Sequence, residues 1–154
     1  MEAPDWIIAI GGGSVIDTAK AAAVIATNHG DVEAYLRSQL KVESPGIPLI
    51  AIPTTAGSGS EVTPYASITD TQNMRKISLT HDHLYPKYAL LDPILATTIP
   101  QKQTAVSGMD ALSHAIEGYW SNRATRITDS CAVTAASLLL STLETAYRNP
   151  WDIN

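Results

Sequence analysis

The sequence predicts an α/β fold in which a partial parallel sheet is followed by an all-helical segment. Three observations predict it. A short apolar run from Trp6 to Ile10 stops at three glycines and is followed at once by an alanine-rich stretch, the order of a strand, a tight turn and a helix. A second such run, Pro48 to Pro53, leads into a loop of glycines and small hydroxyls. From Pro100 onward, β-branched runs give way to apolar residues at three- and four-residue spacing. The boundary falls near residue 98, separating an α/β domain at 1–98 from a helical domain at 99–154.

Asp5 to Ile10 reads as a strand buried on both faces, as in a parallel sheet. After Gly11-Gly12-Gly13, Ser14 to Asp17 has the form of a helix N-cap with an acidic partner three residues on, and the helix continues to Thr27. A strand, glycine turn and helix start aim unpaired N–H groups and a helix dipole at one point, which suits a phosphate or pyrophosphate. The glycines do not match G-x-G-x-x-G, because Ile16 stands at the third glycine, and no G-K-[ST] follows, so a generic tight βα turn is the alternative.

Asn28 to Asp31, including Gly30, ends that helix, and Val32 to Leu40 is expected to form a further short one. Pro48 to Pro53 is the second buried strand. The loop Thr54 to Glu61 leaves its carboxyl end, where ligands of parallel sheets bind and hydroxyls donate to phosphates or ribose. Tyr65–Thr69 and Arg75–Leu79 flank the polar residues 70–74 as a hairpin. In His81-Asp82-His83, alternate residues share a face in the manner of metal ligands, but Pro86 and charged neighbours favour a solvated loop. Tyr88 to Leu91 gives another short strand.

Pro100 stands near the start of a helix that Gly108 is expected to break. Beyond it, Asp110 and His114 lie four apart and therefore on one helical face, where they either converge on a cation or hydrogen-bond each other. Two donors are short of the three or four that a catalytic divalent ion takes from protein. A second long helix carries Ile127, Cys131, Ala135, Leu138, Thr142 and Ala146 as its expected apolar face, with Cys131 read as a small buried residue.

Composition narrows the function classes. With 45% hydrophobic side chains in 154 residues, a packed core is affordable and disorder is disfavoured. Ten basic against 15 acidic residues, with no basic run, argues against nucleic-acid binding. A single cysteine permits no intrachain disulfide, which fits a cytoplasmic protein. No apolar stretch approaches the length of a membrane span.

Three passages in fixed order, Gly11-Gly12-Gly13-Ser14 with Asp17, Thr54 to Val62 (TTAGSGSEV), and Gly108 to Gly118 (GMDALSHAIEG), resemble the iron-containing (group III) alcohol dehydrogenase family. The resemblance implies a Rossmann-like dinucleotide-binding domain at 1–98 and a helical metal-binding domain at 99–154. It also implies NAD or NADP as cofactor and Fe²⁺ or Zn²⁺ as metal. Gly12, Gly13 and Ser14 would hold the pyrophosphate, with Asp17 nearby. Thr54, Thr55, Ser58 and Ser60 fall in the loop that meets phosphates and nicotinamide, and Lys76 matches the lysine near the ribose. Asp110 and His114 match the first two metal ligands.

The family's two further histidines and its opening strands have no counterpart in these residues, so the chain resembles the middle of a longer, truncated enzyme. No residue is assigned as general base. The expected substrate is a small alcohol or aldehyde. The alternative is a non-catalytic, self-associating module that retains nucleotide or anion binding. Exposed strand edges and an uncovered helix face predict a homo-oligomer.

Overall fold

A computed structural model describes residues 4–29, 31–37, 39–71 and 73–153. The chain forms two compact units, Met1–Pro53 with Gly59–Leu91, and Thr54–Ser58 with Asp92–Asn154.

The first unit holds a three-stranded parallel sheet of β1 (Ile7–Gly11), β2 (Leu49–Pro53) and β5 (Tyr88–Ala89), in the order β1-β2-β5. Pairing of β1 with β2 runs from Ile7 opposite Leu49 to Gly11 opposite Pro53, so both strands end level. Helix α1 (Gly13–Ile25) returns the chain between them and covers one face, burying Ile16 with Ala9, Leu49 and Ala51. The other face differs from the expectation for β1. Ile8 and Ile10 are 60% and 58% exposed, because no described element packs over them.

Asn28 ends α1 by tying it to the following loop. Its amide donates to the Val24 and Ser44 carbonyls at 2.7 and 2.9 Å and accepts from the Glu43 and Ser44 N–H groups at 2.9 Å. Gly30, expected in the same stop signal, lies outside the described residues. The next helix, α2 (Val32–Leu36), is shorter than the expected 32–40, since Gln39 folds back to donate to the Ala34 carbonyl. Ser38 of that range is not described.

The hairpin of β3 (Tyr65–Asp70) and β4 (Arg75–Thr80) is antiparallel, with Tyr65 opposite Thr80 and Asp70 opposite Arg75. Asp70 accepts from the Asn73 N–H across the turn at 3.1 Å. Gln72 of this turn lies outside the described residues. A second core joins the hairpin to α1 through Ala21, Val24, Tyr35, Ala66, Leu79 and Leu84.

The second unit is a pair of long helices, α3 (Gln101–Trp120) and α4 (Arg126–Arg148). Gly108 does not break α3. An α-helical glycine costs about 1 kcal/mol relative to alanine, but this one is buried and leaves room for Leu143 of α4, whose methyls a Cβ at position 108 would overlap. Thr125 caps α4 through a reciprocal exchange with Thr128, each side chain accepting from the other's backbone N–H.

The expected period of α4 is correct and its phase is not. Ile127 is 78% exposed, and Cys131, Ala135, Leu138 and Thr142 are exposed as well. The inward line is Ala132, Ala136, Leu139, Leu143 and Ala146. Apolar residues occur nearly all round this helix, so hydrophobicity alone leaves its rotation open. Small residues that allow close approach select the face.

Candidate functional site

At the end of β1 the chain turns through Gly11 and Gly12 into α1, whose N-cap is Gly12 and not Ser14. Ser14 already lies inside the helix, and its carbonyl accepts from the Thr18 hydroxyl at 2.8 Å. Because the first N–H groups of a helix have no intrahelical acceptor, the amides of Gly13 and Ser14 are the ones open to an anion. The Val15 and Ile16 amides close the turn on the Gly12 carbonyl at 3.0 and 3.2 Å. No side chain caps this end, and a basic partner is absent from its first turn.

Asp17 does not cap the helix. Its Oδ1 accepts from the Ser60 hydroxyl at 2.5 Å, and its Oδ2 accepts from the Ser67 N–H at 2.9 Å. Beside it, the Nζ of Lys20 lies 3.6 Å from Oδ1. Lys20 is 1% exposed and donates to the Thr63 and Tyr65 carbonyls at 2.9 and 2.8 Å and to the Thr63 hydroxyl at 3.2 Å. Burial pulls the Lys20 ammonium below its ordinary pKa, and the Asp17 and Glu61 carboxylates oppose that pull.

Lys20 escaped the sequence reading, although a signal existed. A lysine three residues after an aspartate, flanked by Ala19 and Ala21 to Ala23, sits on a face that is otherwise apolar. A buried ammonium needs acceptors, and the chain from Ser60 to Ser67 supplies them.

The structure brings Asp17 and Ser60 together, both in the first unit. Thr54, Thr55 and Ser58 belong to the helical unit. There Gly57 approaches α3 so closely that an added Cβ would stand 2.5 Å from the Ser107 carbonyl oxygen. Lys76 is exposed on β4 opposite Thr69, with no ion-pair partner among the described residues.

Asp110 and His114 share one exposed side of α3, with Oδ1 and Nε2 3.8 Å apart and side chains 52% and 54% exposed. One carboxylate oxygen and one imidazole nitrogen suit a borderline divalent ion such as Fe²⁺ or Zn²⁺. They supply two ligands. Among the described residues no group of three His, Cys, Asp or Glu is clustered for a metal. The His81–His83 segment behaves as a loop, since His81 Nδ1 accepts from the His83 N–H at 3.1 Å within the 3₁₀ turn Asp82–Leu84. No helix of the described residues is long and apolar enough to cross a membrane.

Two family models match the chain, iron-containing alcohol dehydrogenase over residues 1–93 and the C-terminal model of the same family over 104–154. The chain belongs to the iron-containing alcohol dehydrogenase family. It is 46% identical to the probable alcohol dehydrogenase EutG of Escherichia coli, over 92% of this chain and 36% of that protein. With the NAD-dependent methanol dehydrogenase of Bacillus methanolicus it shares 43% identity, covering 97% of this chain and 39% of the relative. The crystal structure of sulfoacetaldehyde reductase from Bifidobacterium kashiwanohense in complex with NAD⁺ superposes with a TM-score of 0.91 at 40% identity, over 96% of this chain and 39% of that one. The chain thus spans less than two-fifths of the length of these relatives.

Proposed function

We propose that the chain supplies the dinucleotide turn and two metal ligands for hydride transfer between a small alcohol and NAD or NADP. The carrying observation is that the family match extends over both segments, 1–93 and 104–154, each holding one of the two groups the chemistry needs. In this reading residues 1–98 are the dinucleotide-binding domain and 99–154 the metal-binding domain. Relatives named as NAD-dependent or solved with NAD⁺ support the choice of cofactor.

The roles follow from the groups present. Main-chain N–H groups of Gly13 and Ser14, at the positive end of α1 beside Gly12, hold the pyrophosphate. Level termination of β1 and β2 sets Gly11, at the start of the glycine turn, opposite Pro53. Thr54, Thr55 and Ser58 offer hydroxyls to phosphate and nicotinamide, and Lys76 offers a cation to the ribose. Asp110 and His114 hold Fe²⁺ or Zn²⁺. When bound, such an ion supplies Lewis acidity towards an alcohol or carbonyl oxygen. A bound nicotinamide ring would supply the hydride acceptor for oxidation of an alcohol to an aldehyde or ketone.

The test is metal content after purification together with absorbance at about 340 nm, the reduced-nicotinamide band, with NAD⁺ or NADP⁺ and a panel of small alcohols. Stoichiometric iron or zinc with turnover would support activity of this chain by itself, although Asp110 and His114 supply only two ligands. No metal and no turnover would refute activity of this chain by itself.

A second reading is favoured by the exposed Ile8 and Ile10 and by the outer edge of β1, which pairs with no strand among the described residues. These features suit self-association, because bare apolar faces and unpaired strand groups both seek partners. Under that reading the chain is a non-catalytic homo-oligomeric module. Light scattering that returns a monodisperse monomer would refute it.

A further inference from the structure

The resemblance sets Asp17 among the residues near the dinucleotide, but its carboxylate is already committed elsewhere. One oxygen is held by the Ser60 hydroxyl and faces Lys20, and the other accepts from the Ser67 N–H. The Asp17 side chain is 16% exposed, and that of Lys20 is fully buried. Lys20 in turn holds the main chain at Thr63 and Tyr65. These bonds run from one turn of α1 to the segment that carries the chain from the hydroxyl loop into β3, across 40 and more residues of sequence.

The electrostatics point the same way. A bare carboxylate in the second turn of a helix whose N-terminus receives an anion repels that anion. Lys20 balances the charge from within the protein. Asp17 is thereby free to grip Ser60 and Ser67 without spoiling the positive field at Gly13 and Ser14.

We propose that Asp17 and Lys20 are positioning residues, a buried strut that fixes the glycine turn against Ser60 and the start of the hairpin and does not touch the dinucleotide. Its functional consequence rests on the reading of Gly12 to Ser14 as a phosphate cradle; its structural content does not.

The experiment compares Asp17→Ala and Asp17→Asn with the wild-type chain in two readouts. Amide hydrogen exchange is followed at Val15, Ile16 and Ser67, and inorganic pyrophosphate and NAD⁺ are titrated by calorimetry under conditions where all variants are folded. In Asp17→Ala, exchange is expected to quicken about three- to tenfold at all three amides, the size of one lost hydrogen bond, and pyrophosphate affinity to fall by a similar factor. Asp17→Asn keeps an oxygen acceptor and should recover most of both losses.

Tighter pyrophosphate binding in both variants would overturn the proposal, since that is what removing a negative charge beside a directly contacted anion produces. Faster exchange at Ser67 with Val15 and Ile16 unchanged would overturn it too. If Asp17→Ala does not fold, Ser60→Ala removes one arm and leaves the ion pair, and must still loosen Val15 and Ile16. If the wild-type chain binds neither pyrophosphate nor NAD⁺, the dinucleotide reading fails and the exchange rates alone decide the strut.

Discussion

Gly57 and Gly59 stand two residues apart in one loop, both at positive φ (159° and 64°), and only at Gly57 would an alanine also meet a neighbour. A Cβ at Gly57 would lie 2.5 Å from the Ser107 carbonyl oxygen and 3.0 Å from the Ser107 Cβ. Ordinary contact begins near 3.4 Å, so loop and helix would have to part by about 1 Å. The obstructing oxygen is main chain in the first half of α3 and has no rotamer to escape into. Overpacking of this kind costs about 1–3 kcal/mol. At Gly59 the backbone is left-handed, with φ 64° and ψ 16°, but an added Cβ meets nothing within 4 Å. Alanine there costs about 1–2 kcal/mol from conformation alone, and asparagine less, since it visits that region readily.

The assay is denaturant unfolding of Gly57→Ala, Gly59→Ala and Gly59→Asn, read as a midpoint shift at constant slope. Gly57→Ala should lose about 1–3 kcal/mol, or about 2–12 °C in Tm at the usual 2–4 °C per kcal/mol for this chain length. Adding Ser107→Gly should restore little, because it removes the Cβ overlap and leaves the carbonyl. Gly59→Asn should remain near wild type. Gly57→Ala within about 0.5 kcal/mol of wild type, the range of ordinary surface changes, would refute the close approach. The same displacement moves Thr54, Thr55 and Ser58, so under the proposed cofactor reading NAD⁺ affinity should fall in Gly57→Ala and hold in Gly59→Asn.

Other consequences are open to direct measurement. At Gly108 an added Cβ meets the flexible end of Leu143, so a rotamer shift of about 0.5–1.5 kcal/mol is set against about 1 kcal/mol of helix propensity gained. Thermal unfolding should therefore place Gly108→Ala within about 1 kcal/mol of wild type, and a large loss would show that Leu143 cannot move. Lys20 has a folded-state pKa below its ordinary 10.5, so between the two values the unfolded chain binds more protons and stability rises with pH. Below that window the desolvation cost is fully present. Urea midpoints should thus show a rise with pH in the wild type that is absent in Lys20→Met, and parallel profiles would refute the burial effect. Asp110→Ala and His114→Ala should each lower iron or zinc affinity by about tenfold or more, measured by metal titration with a competing chelator. Equal affinity in all three proteins would exclude the pair as ligands. Thr125→Ala removes a reciprocal cap and should cost α4 about 1 kcal/mol in unfolding experiments.

The elements most legible in the sequence were those whose signal is local. The β1 and β2 runs, the glycine turn and the hairpin follow from apolar blocks bounded by turn residues, and the folded strands end within a residue or two of the expected positions. The pair Asp110 and His114 was legible for the same reason, since four-residue spacing on a helix fixes a shared face whatever surrounds it. The rotation of α4 was not. Its packing is decided by where two backbones approach, and that depends on Gly108 and Leu143, 35 positions apart. Gly108 itself read as a breaker because its local cost is visible in sequence and its tertiary compensation is not.

Ser14 and Asp17 show the same competition within a single turn. As a string, Ser-Val-Ile-Asp carries the spacing of a capping box, in which the two side chains would satisfy each other's backbone. The folded chain starts the helix two residues earlier, at Gly12, and that shift releases both side chains from capping. Asp17 becomes available to Ser60 and Ser67, and the Gly13 and Ser14 N–H groups keep no intrahelical acceptor. A capping box would have filled the donors that an anion needs. Under the proposed reading, obeying the local rule would close the cradle.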